Sequence, residues 1–91
     1  MIFFKNVVIL KGFLDMKLKL TYCSAWGYEE KAARLAEQLL VNYKKSITEF
    51  TLIPSDGGRF EVEVNDELLF SKKEEGRYPS FAEIKEKIDG R

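Results

Sequence analysis

Histidine is absent from this chain, and cysteine and tryptophan occur once each. Without an imidazole the commonest general base and the commonest metal ligand are gone, and one thiol among scattered carboxylates makes no zinc site. Histidine-based triads and zinc chemistry are therefore excluded. One cysteine cannot close an internal disulfide, which favours a reducing compartment and sets the cytoplasm as the expected location. Net charge is missing too: 15 Lys and Arg balance 15 Asp and Glu. No overall field draws such a chain to nucleic acid or to an anionic membrane surface. The basic pairs Lys44-Lys45 and Lys72-Lys73, the second followed by Glu74-Glu75, read as solvated surface. Long apolar runs are also lacking. Lys5, Asn6 and Lys11 interrupt the apolar start of the chain, leaving nothing near the ~20 residues that a membrane-spanning helix needs. Nor does that start have the basic opening and small-residue cleavage site of a signal peptide.

What is present is the balance of a folded domain. With 91 residues, 45% hydrophobic and 33% charged, the chain has material for one core and not for two. From Lys17 onward Leu18, Leu20 and Tyr22 alternate with Lys17, Lys19 and Thr21, the period of a strand with one buried face. After Cys23-Ser24-Ala25-Trp26-Gly27, residues Ala32, Leu35, Ala36, Leu39, Leu40 and Tyr43 recur at helical spacing, predicting a helix from about Tyr28 to Lys45. Glu29 and Glu30 at its start and Lys44 and Lys45 at its end match the helix dipole.

Ile47 to Ile53 reads as a second strand, stopped by the loop Pro54-Ser55-Asp56-Gly57-Gly58. In that loop the glycines are read as suppliers of unusual backbone angles, not as a phosphate cradle, because no strand–glycine loop–helix with a following lysine surrounds them. Phe60, Val62 and Val64, then Leu68 to Phe70 across Asn65-Asp66, read as a hairpin. Ser80 and Glu83 form a capping box before Phe81, Ile84 and Ile88, which share a face of a terminal helix.

The expected fold is thus α/β with the order β-α-β-β-β-α: a two-layer sandwich with a mixed four-stranded sheet and helices on one face, thioredoxin-like in outline. A helix between the first two strands makes them parallel, and the hairpin adds antiparallel partners. Residues 16–91 form this single domain. Residues 1–15 stand apart as an N-terminal extension: Val7 to Leu10 suit an added edge strand, an apolar arm or a homodimer contact, and Met16 is an alternative translation start.

Cys23 is the one residue with distinctive chemistry. At the carboxyl end of a strand and just ahead of a helix, a thiol lies where backbone N–H groups concentrate positive partial charge, which favours the thiolate that attacks disulfides. A free cysteine is equally at home as a small buried packing residue. Trp26 carries a similar pair of readings, since a lone tryptophan is ordinarily at the core or its rim, whereas exposure would argue for recognition.

Three segments then carry a resemblance: Tyr22-Cys23 with Trp26-Gly27-Tyr28, Gly57-Gly58-Arg59-Phe60-Glu61-Val62, and Glu67-Leu68-Leu69-Phe70-Ser71-Lys72-Lys73-Glu74-Glu75-Gly76. Over about residues 17 to 88 the chain resembles the selenoprotein W, or Rdx, family. That resemblance implies a thioredoxin-like fold and thiol redox work through a C-x-x-C or C-x-x-selenocysteine motif, with glutathione or another small thiol as co-substrate and with protein partners. It implies no tightly bound cofactor and no metal. Cys23 matches the first motif position, but Trp26 stands at the second. Two functions follow. Cys23 acts as a monothiol, forming mixed disulfides with small thiols or partner proteins, or the chain is a redox-inactive interaction module presenting Tyr22, Trp26 and Tyr28 to another protein.

Overall fold

In the computed structural model residues 15–91 are described, so the expectations for Val7 to Leu10 lie outside the described residues. The chain forms β1 (Met16–Cys23), α1 (Glu29–Tyr43), a turn of 3₁₀ helix (Lys44–Ser46), β2 (Ile47–Ser55), β3 (Phe60–Val64), β4 (Glu67–Ser71), a single-turn α2 (Lys72–Glu75) and α3 (Phe81–Asp89). The sheet has four strands in the order β2-β1-β3-β4. β1 runs parallel to β2 and antiparallel to β3, and β3 and β4 form the hairpin. This is the expected mixed α/β sheet.

β1 lies at the centre because its alternation supplies Met16, Leu18 and Leu20 to the core, each at most 2% exposed. Val62, Val64 and Phe70 from the hairpin join them, and Leu35, Leu39, Ile84 and Ile88 close the cluster from the helices. One cluster shared by both helices and three strands means that the helices cover the same face. Leu40 departs from the expected stripe: it is 46% exposed, one residue round the helix from the fully buried Leu39.

Boundaries also shift for physical reasons. α1 ends at Tyr43, not at Lys45, because Lys44 takes a positive φ of 47° and its N–H turns back to Leu40 O. β2 runs on through Pro54 to Ser55, past the expected stop. Ser55 O accepts from Ser24 N on the β1 side, so alternation turns the Pro54 backbone outward, where a missing N–H costs no ladder bond on an edge strand. The hairpin turn is Asn65-Asp66, with φ of 50° and 69°, the geometry of a two-residue type I′ connection. Asn65 also pins β1: its N–H donates to Lys17 O, and its Oδ1 accepts from Lys17 N, both at 2.9 Å.

α3 starts as its capping box predicts, Ser80 Oγ accepting from Glu83 N at 3.1 Å. The Glu83 carboxylate, however, turns away to Arg77, accepting from Nη1 and Nη2 at 2.7 and 2.9 Å, which holds it below the usual carboxylate range. α1 has no side-chain cap and relies on Glu29 and Glu30 in its first turn.

Candidate functional site: the thiol turn

Cys23 is the last residue of β1, and the ladder with β2 continues one step beyond it through Ser24 N to Ser55 O at 3.0 Å. The chain then turns over itself. Gly27 N donates to Ser24 O at 3.2 Å and Tyr28 N to Cys23 O at 3.2 Å, and Gly27 takes φ +76°, a value glycine adopts at no steric cost. Ser24 to Gly27 are all exposed, while Tyr28 is buried. Beneath this turn Cys23 is 0% exposed and belongs to the core.

That burial fits the packing reading of Cys23. The amides of Ser24, Gly27 and Tyr28 are each committed to a carbonyl oxygen, so these N–H groups do not serve the sulfur. The period-2 pattern of β1 also breaks at this end, with Thr21 and Cys23 buried although they alternate with the core positions.

Trp26 goes the other way. The residue is 62% exposed, not at the core, and its ring lies against Gly58. A Cβ at Gly58 would stand 2.5 Å from Trp26 Cζ3, and Gly58 itself has φ +73°. Gly57, at φ +74°, has open space around it. Both glycines thus hold the unusual angles expected of them, and Gly58 has the added task of admitting the indole.

Tyr28 meets the Trp26 ring edge-on at 6.0 Å between centroids, and also packs on Tyr78 at 5.1 Å and Phe60 at 6.4 Å. Phe60 and Tyr78 are 5.5 Å apart. Lys31 Nζ lies 4.5 Å over the Tyr78 ring, and Lys72 Nζ 5.3 Å from its centroid. Burial pushes the Tyr78 phenol up to about 12, aided by its hydrogen bond with Tyr28. Tyr22, half-buried, sits on β1 opposite Phe60 and Pro54 and takes no part in this ring cluster. Of the three aromatics expected at a contact face, Trp26 is exposed, Tyr22 half-buried and Tyr28 buried.

Sequence reading missed Phe60, Tyr78, Lys31 and Lys72 as neighbours of the site. Phe60 was within reach, because an antiparallel β3 that starts there begins beside the end of β1, at Tyr22. Tyr78 carried no comparable signal: it arrives from a loop whose path depends on the one-turn α2 and on Gly76 at φ +75°.

Among the described residues no group of three or more metal-ligating side chains comes together, and no helix is long and apolar enough to cross a membrane. Residues 17–90 match the family model described as the Rdx family. The chain belongs to the Rdx family. Its relatives include a SelT-like protein of Arabidopsis thaliana, 36% identical over 70 residues, covering 72% of this chain and 31% of that protein. Another is migration and invasion enhancer 1 of Bos taurus, 32% identical over 73 residues, covering 80% of this chain and 62% of the relative. The chain thus spans less than two thirds of the length of these curated relatives. Among solved structures, the selenoprotein W-related protein of Vibrio cholerae superposes with a TM-score of 0.80 at 26% identity, covering 84% of this chain and 95% of that one. A protein of Bordetella parapertussis shares the fold, with a TM-score of 0.79 at 24% identity over 82% of this chain and 95% of that one. The fold is that of selenoprotein W-related, thioredoxin-like Rdx proteins, and membership supports a redox-related role.

Proposed function

We propose that this Rdx protein is a monothiol exchanger whose sulfur is closed off at rest and reached when the Ser24–Gly27 turn lifts. The observation that carries this reading is the placement of Cys23: fully buried, yet directly beneath four exposed residues. Few hydrogen bonds fasten that turn, and segments with few buried contacts open at lower free energy than the whole fold. Once open, the Cys23 thiolate attacks a disulfide of a small thiol or a partner protein. One S–S bond breaks, the new bond joins Cys23 to one sulfur, and the other sulfur leaves as a thiolate. A second external thiol then attacks the mixed disulfide and returns Cys23 to the thiolate. No internal resolving thiol is available, since the chain has one cysteine. The reaction suits a reducing, cytoplasmic setting with a glutathione-like co-substrate.

A second reading is favoured by the same burial and by the 62% exposure of Trp26: a redox-silent module that offers the indole to a protein partner, an aromatic anchor of the kind that dominates interface energetics. Alkylation of Cys23 across low urea concentrations separates the two. The exchanger requires a reaction rate nearly independent of urea, reporting local opening. A rate that climbs with urea along the global unfolding curve shows a thiol exposed only by complete unfolding, and the exchanger reading falls. For the module, affinity capture with Trp26→Ala must lose partners that the unaltered chain retains.

A further inference from the structure

Beside the ring cluster, on the side away from Trp26, a cleft of about 250 Å³ opens between α1 and the segment leading into α3. Its floor is apolar, made by Leu35, Phe60 and Phe81, with Tyr78 as one wall. Lys31 and Arg34, both exposed, stand along the α1 rim, and Glu30 is the one acidic side chain on the lining. The cleft therefore carries net positive charge. Arg77, Lys85 and Arg91 are held by carboxylates, Glu83, Asp89 and Glu67 respectively. Among the described residues neither Lys31 nor Arg34 forms an ion pair, and Lys31 rests on the face of Tyr78. Ser80, which caps the N-terminus of α3, also borders the cleft, and that helix end adds positive potential.

We infer that this cleft is a docking site for an acidic peptide segment of a partner protein, an apolar side chain entering between Phe60 and Phe81 while flanking carboxylates meet Lys31 and Arg34. Size selects the occupant. The volume falls below the ~300–1,000 Å³ usual for small-molecule and cofactor sites, but it accepts one large side chain. Charge selects the flanks, because two unpaired cations at an apolar mouth favour carboxylates and exclude basic sequences. Arg34 adds a planar donor fork that matches a carboxylate with two hydrogen bonds. Because Phe60 and Tyr78 line the cleft and also pack on Tyr28, the residue that follows the thiol turn, a docked segment lies next to that turn. The site itself does not depend on thiol chemistry and stands even if Cys23 proves inert.

The test is fluorescence anisotropy of the whole chain with labelled five-residue peptides: phenylalanine flanked by two glutamates on each side, the same peptide with alanine at the centre, and a version with lysine flanks. The first binds saturably. Alanine at its centre, or Arg34→Glu in the protein, weakens it at least tenfold, raising salt from 50 to 200 mM weakens it several-fold, and the lysine peptide does not bind. Lys31→Ser weakens binding less than Arg34→Glu, and Lys45→Glu, away from the cleft, leaves it unchanged. Far-UV circular dichroism confirms that each variant is folded, which substitution of exposed side chains favours. No saturable binding by the acidic peptide overturns the inference, as does binding indifferent to Arg34→Glu. Competition by free glutamate at the peptide's own concentration also overturns it, because it would mark a site for small carboxylates.

Discussion

Replacing Gly58 with alanine tests the arrangement that covers the thiol. At φ +73° any L-residue is strained, at about 1–2 kcal/mol. The same holds for Gly57 at φ +74°, so Gly57→Ala is the internal control: equal backbone strain, with nothing within 4 Å of the added methyl. At Gly58 the methyl also meets the indole at 2.5 Å. The indole is the far end of an exposed side chain, so it swings aside, and the extra cost is its lost contact. With Trp26 62% exposed, just over a third of a side chain of roughly 250 Å² is covered. At about 25 cal/mol per Å² that area sets a ceiling near 2 kcal/mol. Tyr28 supplies part of the cover, so about 1 kcal/mol is the share that Gly58 controls.

Urea denaturation followed by circular dichroism should therefore give losses of about 1–2 kcal/mol for Gly57→Ala and about 2–3 kcal/mol for Gly58→Ala. In a Trp26→Ala background the two should become equal. Because Trp26 is the chain's sole tryptophan, its emission reports the contact directly and should shift to the red in Gly58→Ala alone. Faster Cys23 alkylation in Gly58→Ala than in Gly57→Ala would follow from a loosened turn. Equal losses with unchanged emission would show that the indole does not rest on Gly58, and the account of how the turn is held would fail.

Asp66→Gly should raise stability by about 0.5–1 kcal/mol in the same assay, because it removes a left-handed non-glycine residue from a type I′ turn; its only charged contact is a 4.0 Å pair with Lys19 at 92% exposure of Asp66, which contributes almost nothing. Tyr43→Phe deletes the phenol that donates to Asp89 Oδ1 at 2.7 Å and ties α1 to α3. A loss of about 1–2 kcal/mol is expected, since Asp89 keeps Lys85 as a 2.7 Å partner. At high pH, the phenol of Tyr78, raised to about 12, and that of Tyr43, raised further by burial and by Asp89, both hold protons that the unfolded chain releases near pH ~10. Their stabilisation is complete below that value and is lost as pH rises, through about 12 for Tyr78 and higher still for Tyr43. The urea midpoint should therefore fall between pH 9 and pH 11; an unchanged midpoint would contradict the raised phenols.

The strands and helices were legible because their signals are local and periodic. The alternation of Leu18 and Leu20, the stripe from Ala32 to Tyr43, and Ser80 ahead of Glu83 each announce an element without reference to the rest of the chain. The strand order followed from one rule, since a helix between β1 and β2 forces them parallel. What eluded the sequence depends on contacts between distant segments. Whether Leu40 faces the core or water is decided by where α1 sits over the sheet, and Pro54 is tolerated in β2 only because that strand is the edge. Cys23 and Trp26 were left open between two placements for a similar reason. A strand-end thiol and a lone indole each have an inner and an outer reading, and the choice between them is made by the turn closing over one and by Gly58 admitting the other.

That choice gives the departure at position 26 its chemical meaning. In a C-x-x-C arrangement one sulfur must be reachable to start exchange, while the other completes it from within. Here position 23 is buried and position 26 is exposed, so of the two positions the one that holds tryptophan is the one a reactant would meet first. Cys23 is the sheltered one of the two positions, and on the proposed monothiol reading its chemistry requires an opening step. Trp26→Cys should then convert slow chemistry into fast chemistry. The introduced thiol should alkylate without delay, and oxidation with a small disulfide should join it to Cys23 with loss of two hydrogens and no retained adduct, since the curl held by Gly27 N to Ser24 O brings the turn back over the strand end. A small-thiol adduct that persists at position 26 would show that the two positions cannot meet. Alkylation of Cys23 in the unaltered chain as fast as that of the introduced thiol would show that nothing gates it.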